Sequence, residues 1–322
     1  MDDDLANVAP GQSAGQPHES GETRPDGSDG SFRSGFIAVL GRPNVGKSTL
    51  VNRLVGQKVS IVSDHPQTTR RRISGVVNGP TFQVVLLDLP GFQRPFDTLT
   101  RRMQAAIDTA LAEVDGALFV LSAAEPIGGG DRFIANALTA SSLPSVVVLN
   151  KVDAVPARTL PDKLQRAREL VGGQDVWPVS ALRGEGLNEL IVELAAALPP
   201  GPRYFPVGQT SDQPLRQLVA ELIREKALQL TREEVPHAIA VEIESLEEIR
   251  QRSLVEIDAH IVVEHDSQKA ILIGKNGAVV KAIGTAARRE IEAILGVRVF
   301  LGLRVKVRRH WRRDEGYVER QL

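Results

Sequence analysis

The 322-residue sequence contains no cysteine. A disulfide framework, a thiolate metal site and a cysteine nucleophile are thereby excluded. It also lacks any run near the ~18 apolar residues that a membrane-spanning helix needs. The N-terminus reads MDDDLANVAP, acidic where a secretory signal would be basic and then apolar. A reducing cytoplasm is the expected compartment. Net charge is nearly absent too, with 39 Lys and Arg against 40 Asp and Glu. What remains is a globular composition, 42% hydrophobic and 25% charged, of a length that suits two domains with real cores.

The near-neutral total conceals an asymmetry. Residues 1–33 carry seven acids and two bases, whereas residues 298–313 carry seven Lys and Arg, one His and no acid. Residues 1–34 are dominated by Gly, Ser, Asp, Pro and Gln and cannot offset the entropy of ordering, so a disordered acidic tail is expected there. From Phe36 onward, apolar strands alternate with helical periods, as βαβ units require. Strands are expected at Phe36–Leu40, Ile73–Val77, Thr81–Asp88, Ala117–Leu121, Ser145–Leu149 and Val176–Val179. Asn78-Gly79 signals a hairpin, so the second and third should pair antiparallel. Leu99, Met103, Ile107, Ala110, Leu111 and Val114 form one helical stripe, and Leu187, Leu190, Ile191, Leu194 and Leu198 another.

The run Pro199-Pro200-Gly201-Pro202 stops any helix or central strand. It divides a first domain, 35–200, from a linker, 201–213, and a second domain, 214–322. The second reads α-β-β-α-α-β: a helix near Pro214–Leu230, strands near Ala238–Ser245 and Leu254–His265, a short helix Gln268–Ile273, a helix Ala278–Leu295, and a last strand. That strand places Val297, Val299, Leu301, Leu303, Val305 and Val307 on one face and Arg298, Phe300, Gly302, Arg304, Lys306 and Arg308 on the other.

Chemistry concentrates at strand ends. Gly41-Arg42-Pro43-Asn44-Val45-Gly46-Lys47-Ser48 follows the first strand and opens a helix, matching the phosphate-binding pattern G-x-x-x-x-G-K-[ST] in its required context. Its glycines let backbone N–H groups close around phosphate oxygens at a helix N-terminus. Lys47 brings a cation to the β and γ phosphates, and Ser48 offers a hydroxyl to Mg²⁺. Asp88-Leu89-Pro90-Gly91 ends the third strand, where Asp88 can hold Mg²⁺ through water and the Gly91 N–H can meet the γ-phosphate. Gln67-Thr68-Thr69-Arg70 supplies a threonine for the metal when the γ-phosphate is present. Asn150-Lys151-Val152-Asp153 closes another strand. Its carboxylate accepts from the ring N–H and exocyclic amine of guanine, a donor pair that adenine lacks. Ser180-Ala181-Leu182 follows the last strand and suits a loop behind the base. A Gly-rich helix cap would explain the first motif alone, but not five motifs in this order.

Ile273-Gly274-Lys275-Asn276-Gly277 fits the GxxG loop with which KH domains clamp single-stranded nucleotides. Lys281, Arg288, Arg308 and Arg309 extend a basic surface. Trp311 is expected to anchor the terminal segment on the core rather than stack on a base, and Trp177 is read as core. His65 and His237 have no metal-spaced partner.

The stretch GRPNVGKSTLVNRLVGQKVSIVSDHPQTTR, together with EPIGGGDRF, LIREK, TREEVPHAIAVEI and IGKNGAVVKAIGTAARREIE, resembles the bacterial Era family over about residues 35–313. The resemblance implies an α/β fold: a P-loop (Ras-like) GTPase domain followed by an α+β type II KH domain. It implies GTP/GDP and Mg²⁺ as ligands, with Asn44 to Thr49 on the phosphates, Ser48 and Thr69 on the metal, and Asn150, Lys151 and Asp153 on guanine. Thr69 is preferred to Thr68 because related families keep the threonine beside the arginine. The catalytic set is then Lys47, Thr69, Asp88 and Gly91. The implied partner is the 3′ end of 16S ribosomal RNA during assembly of the 30S subunit, with no DNA, and the chain is expected to be a monomer.

Two positions depart from the family. Leu89 replaces its usual threonine, and the C-terminus, DEGYVERQL, is shorter than usual. Phe92 stands where Ras-type enzymes carry a water-orienting glutamine, so slow intrinsic hydrolysis is expected. In related GTPases an asparagine placed like Asn44 helps hold K⁺ beside the phosphates, which suggests K⁺ stimulation. A competing reading is a membrane-surface or signalling GTPase whose basic end binds anionic lipid at the inner face of the membrane.

Overall fold

The computed structural model describes residues 32–63, 68–69, 72–91, 111–231, 238–249 and 253–321, with Thr109 and Val235. The first module is built on a six-stranded sheet in the order β2-β3-β1-β4-β5-β6. Its strands are β1 (Arg33–Leu40), β2 (Ile73–Asn78), β3 (Phe82–Asp88), β4 (Gly116–Ser122), β5 (Ser145–Asn150) and β6 (Val176–Pro178). Among the described residues of this sheet, only β2 and β3 pair antiparallel. The helices are α1 (Lys47–Val55), α2 (Gly129–Ser141), α3 (Leu160–Leu170) and α4 (Leu187–Ala196).

Strand period two explains the layering. Ile37 and Val39 point to one face and pack with Leu50, Leu54, Leu190 and Leu194 of α1 and α4. Ala38 and Leu40 point to the other and pack with Ile134, Leu138 and Ala167 of α2 and α3. Both faces are covered, so β1 reads as a continuous apolar run rather than an alternating one.

Two details differ from the sequence reading. The first strand begins at Arg33, so Arg33 and Ser34, assigned to the tail, belong to the sheet. They pair with Phe82 and Gln83, and their side chains donate to Leu198 O at 2.6 Å and Pro202 O at 2.6 Å. The hairpin reversal lies at Gly79–Phe82, with the Gly79 N–H bonded to Phe82 O at 2.9 Å, because Asn78 still pairs with Gln83. The stripe residues Leu99, Met103, Ile107 and Ala110 lie outside the described residues.

Residues 203–213 do not hang between modules. Buried Gln83 accepts the N–H groups of Tyr204 and Phe205 and donates to Phe205 O. The Val76 N–H bonds to Thr210 O at 2.8 Å and Ser74 donates to Asp212 at 3.0 Å. The linker thus covers the outer edge of β2, whose backbone groups would otherwise lack partners.

The second module has the expected α-β-β-α-α-β order. It comprises α5 (Leu215–Leu230), β7 (Ala240–Ile249), β8 (Leu254–Val263), α6 (Asp266–Ile273), α7 (Ala278–Leu295) and β9 (Arg298–Val307), then a short α8 (Glu315–Gln321). Its sheet runs β7-β8-β9, with β7–β8 antiparallel and β8–β9 parallel. Leu222, Ile223, Ile257, Ile261, Ile283 and Ile291 share one core. Trp311 is fully buried and its indole N–H donates to Ala238 O at 2.9 Å, so it holds the C-terminal segment in place and is not free to stack on a base. Among the described residues, no helix is long and apolar enough to cross a membrane.

Candidate functional site

The loop between β1 and α1 has the backbone that phosphate binding needs. Asn44 and Gly46 take positive φ, 64° and 98°. A Cβ on Gly46 would lie 2.4 Å from the Asn150 amide, so only glycine fits between this loop and the end of β5. Lys47 Nζ donates to Gly41 O and Arg42 O, each at 3.1 Å, which arches the loop around its ammonium. Gly91 meets the loop from the other side, where a Cβ would sit 3.0 Å from Pro43. Its neighbour Pro90 is buried, and Phe92 lies outside the described residues.

Three hydroxyl and carboxyl groups converge at the start of α1. Ser48 Oγ donates to Asp88 Oδ2 at 2.7 Å and lies 3.0 Å from Thr69 Oγ1, which reaches the same carboxylate oxygen at 3.3 Å. The other oxygen, Asp88 Oδ1, is buried without a partner among the described residues. An orphaned buried carboxylate oxygen asks for a ligand, and this all-oxygen donor set suits a hard, water-carrying cation such as Mg²⁺. Burial pushes the Asp88 carboxyl above the ordinary range, against the pull of Lys47, Ser48, Ser60 and Thr69. Burial likewise brings the Lys47 ammonium down to about 8, with Asp88 pulling it back up. Polyanionic phosphate would complete the charge balance around that buried ammonium.

The structure brings Thr69, not Thr68, to Ser48 and Asp88. Leu89 is fully buried in the apolar layer shared with Leu40 and Phe119. Its side chain therefore turns away from the cleft, which explains how leucine can replace threonine there. The Arg42 side chain also turns away, bonded to buried Asp131 at 2.9 Å and paired with Glu125 at 3.3 Å. It braces the loop on the start of α2, a role no motif announced.

The base-reading elements meet at one corner. Asn150 donates from Nδ2 to Val45 O at 2.9 Å and accepts the Ala181 N–H at 3.0 Å. One side chain thus ties the phosphate loop to the Ser180–Leu182 loop. Ser180 Oγ donates to Asp153 Oδ1 at 2.5 Å and accepts the Arg183 N–H at 3.1 Å, which fixes the carboxylate. Lys151 takes positive φ and donates from Nζ to Asn44 O. Val152 packs against the apolar layer. Leu182 is exposed, and Arg53 of α1 donates to its carbonyl at 2.7 Å.

The second module presents its own site. Ile273 ends α6, and Gly274, Asn276 and Gly277 have positive φ of 68°, 53° and 76°. The loop stands out in solvent, with Lys275 and Asn276 exposed. From it runs α7, with Lys281 and Arg288 exposed. Between α7 and β9 lies a groove of about 540 Å³ lined by Lys281, Gly284, Thr285, Arg288, Phe300 and Leu303. Phe300 is 60% exposed and suits base stacking. No sequence motif marks it as a contact, although it is the one aromatic on the polar face of an alternating strand.

The basic end divides. Arg308 pairs with Asp314 at 2.6 Å and lies 4.3 Å over the Tyr317 ring, and Arg312 pairs with Glu264 at 2.8 Å. These arginines dock the terminal helix. Arg309, 3.9 Å from Asp266, keeps an exposed side chain that remains available to a nucleic acid.

Comparison with known proteins matches both modules. Residues 36–151 match the family model described as 50S ribosome-binding GTPase, and residues 234–312 match the KH domain model. The chain is 48% identical over 281 residues to the GTPase Era of Heliobacterium modesticaldum, covering 87% of this chain and 94% of that one. It is 46% identical over 287 residues to the GTPase Era of Mycobacterium avium, covering 88% and 96%. Among solved structures, Era in complex with MgGDPNP and nucleotides 1506–1542 of 16S ribosomal RNA superposes with TM-score 0.87 at 40% identity, covering 90% and 98%. An Aquifex aeolicus Era variant bound to GDP·AlF4⁻ gives 0.86 at 39%, covering 90% and 99%.

Proposed function

The chain belongs to the Era family of GTPases, and on that premise we propose that it is a GTP-hydrolysing switch that grips the 3′ end of 16S ribosomal RNA and acts in assembly of the 30S subunit. The observation that carries this reading is the exposed Gly274–Gly277 loop at the head of a basic helix, on the same chain as a complete guanine-nucleotide corner. Ser48 and Thr69 would hold Mg²⁺ directly and Asp88 through water. Bound there, the ion would neutralise charge between the β and γ phosphates. Lys47 places a cation against the same oxygens, Gly91 offers its N–H to the γ-phosphate, and Asp153 selects guanine.

The test is RNA binding with the nucleotide varied. An RNA equivalent to nucleotides 1506–1542 of 16S ribosomal RNA is expected to bind at least about tenfold tighter with GDPNP than with GDP, a coupling of ordinary allosteric size. Equal affinity in the two states would remove the switch.

No side chain among Lys47, Ser48, Thr69 and Asp88 is built to orient a nucleophilic water, and Phe92 is unsuited to it. Turnover without a partner is therefore expected to be slow. Asn44, exposed at the loop tip, supports a place for K⁺ beside the phosphates, where it would add charge in the way an arginine finger does. Hydrolysis in KCl is expected to exceed that in NaCl of equal ionic strength by ~10-fold or more. Matching rates would count against the K⁺ site.

A further inference from the structure

The segment leaving α1 does not stay in the first module. Asn52 Oδ1 accepts the N–H groups of Val59 and Ser60 at 2.8 and 2.9 Å. The next residue, Ile61, is 1% exposed and packs in the core of the second module with Ile223 and Leu228. The Val62 N–H then bonds to Glu225 of α5 at 2.8 Å. Lys58 is held between Glu225, at 2.5 Å, and Glu290 of α7. Helix α7 is the one that carries Lys281 and Arg288 along the groove.

The segment returns to the first module at Thr68 and Thr69, and the two residues are bonded in opposite directions. Thr69 Oγ1 faces Ser48 and Asp88. The Thr68 carbonyl accepts from Arg224 Nη2 of α5. Arg224 is only 2% exposed, and Glu221 grips it at Nε, 2.9 Å, and Nη2, 2.5 Å. Its remaining amino group, Nη1, is buried without a partner among the described residues. A buried guanidinium on the wrong side of a domain boundary, aimed at the carbonyl next to the metal-site threonine, is costly unless that contact forms.

We propose that Arg224 is a positioning residue for the nucleotide site: from the second module it fixes the Thr68 carbonyl and so presents Thr69 to the Mg²⁺ position. The RNA-binding module thereby forms part of the triphosphate-sensing apparatus in cis, with Lys58 and Glu290 continuing the connection to the RNA-facing helix. This rests on the assignment of Thr69 to the metal site. Thr69 acts only when the γ-phosphate is present, so the contact should favour the triphosphate state selectively. By reciprocity, triphosphate binding should tighten the seat of Ile61 and Val62 on the second module.

The full chain with Arg224→Gln, Arg224→Lys and Thr69→Ala provides the test, with GDPNP and GDP affinities measured by calorimetry in Mg²⁺. Arg224→Gln is expected to weaken GDPNP about tenfold, the scale of one charge-assisted hydrogen bond, and to leave GDP within twofold. Arg224→Lys, which keeps one donor for the carbonyl, should recover part of the loss. Amide exchange at Ile61 and Val62 should be slower with GDPNP than with GDP in the parent and equal in Arg224→Gln. Arg224 serving only to dock the modules predicts equal losses for both nucleotides, or none, and either result overturns the proposal. A Thr69→Ala variant without a GDPNP-selective loss would instead overturn the metal-site assignment beneath it. Far-ultraviolet circular dichroism and a thermal melt of each variant beside the parent separate these outcomes from failure to fold.

Discussion

Replacing Asp153 by asparagine is expected to weaken GTP binding by about 10⁴-fold and to create binding of xanthosine triphosphate. The carboxylate offers only acceptors, and guanine presents two donors to it. Ser180 already holds one oxygen at 2.5 Å, so the group cannot turn to relieve a mismatch. An asparagine amide in that place sets an N–H against the exocyclic amine of guanine. A site built around hydrogen bonds rejects a partner that leaves them unmade by ~10⁴ or more. Xanthine carries a carbonyl where guanine carries that amine, and the amide N–H can donate to it. The check is competition binding of GTP, ATP and xanthosine triphosphate to parent and variant. The phosphate loop is untouched, so the variant should still bind xanthine nucleotides in Mg²⁺. A variant that keeps GTP within tenfold of the parent would show that Asp153 does not read the base.

The parts of the molecule legible in its sequence are those whose chemistry constrains the backbone. Gly41, Gly46 and Gly91 are spaced for phosphate, and the alternation from Val297 to Val307 marks a half-buried strand. Both patterns are local. What escaped was held by contacts outside the element that carries each residue. Arg33 and Ser34 look like tail but are drawn into the sheet by carbonyls at Leu198 and Pro202. Arg308 and Arg312 look like a solvated basic run but are neutralised by Asp314 and Glu264. Arg224 lies in an ordinary amphipathic helix pattern, and its burial comes from a segment more than 150 residues earlier. Charge on a helix face does not reveal whether its partner is water or another module. For the same reason the guanine corner could be read from Asn150, Asp153 and Ser180, whereas the bracing of Arg42 by Asp131 could not.

The second large effect is expected at Gly277, and it separates clamping of RNA from attraction by charge. Gly277 has φ of +76°, and nothing lies within 4 Å of the place a Cβ would take. Aspartate tolerates that left-handed conformation better than most residues, so Gly277→Asp should fold. Gly274 is a poorer choice, because a Cβ there would lie 2.5 Å from Val279 and distort the loop itself. In the Gly277→Asp chain a carboxylate occupies the place where an RNA backbone would pass at close range. Loss of the close approach and repulsion of phosphate act together, and RNA affinity is expected to fall ~100-fold or more. Arg309, Lys281 and Arg288 remain in place. If the basic surface merely attracted polyanions, whether RNA or anionic lipid, one added negative charge would cost about 1 kcal/mol, roughly fivefold. RNA titration and vesicle sedimentation with phosphatidylserine, run on parent and variant in the same salt, read both quantities. A ~100-fold loss for RNA with GDP affinity unchanged places the contact in the loop, whereas a fivefold loss for both ligands would assign the surface to charge alone and return the protein to the membrane-surface reading.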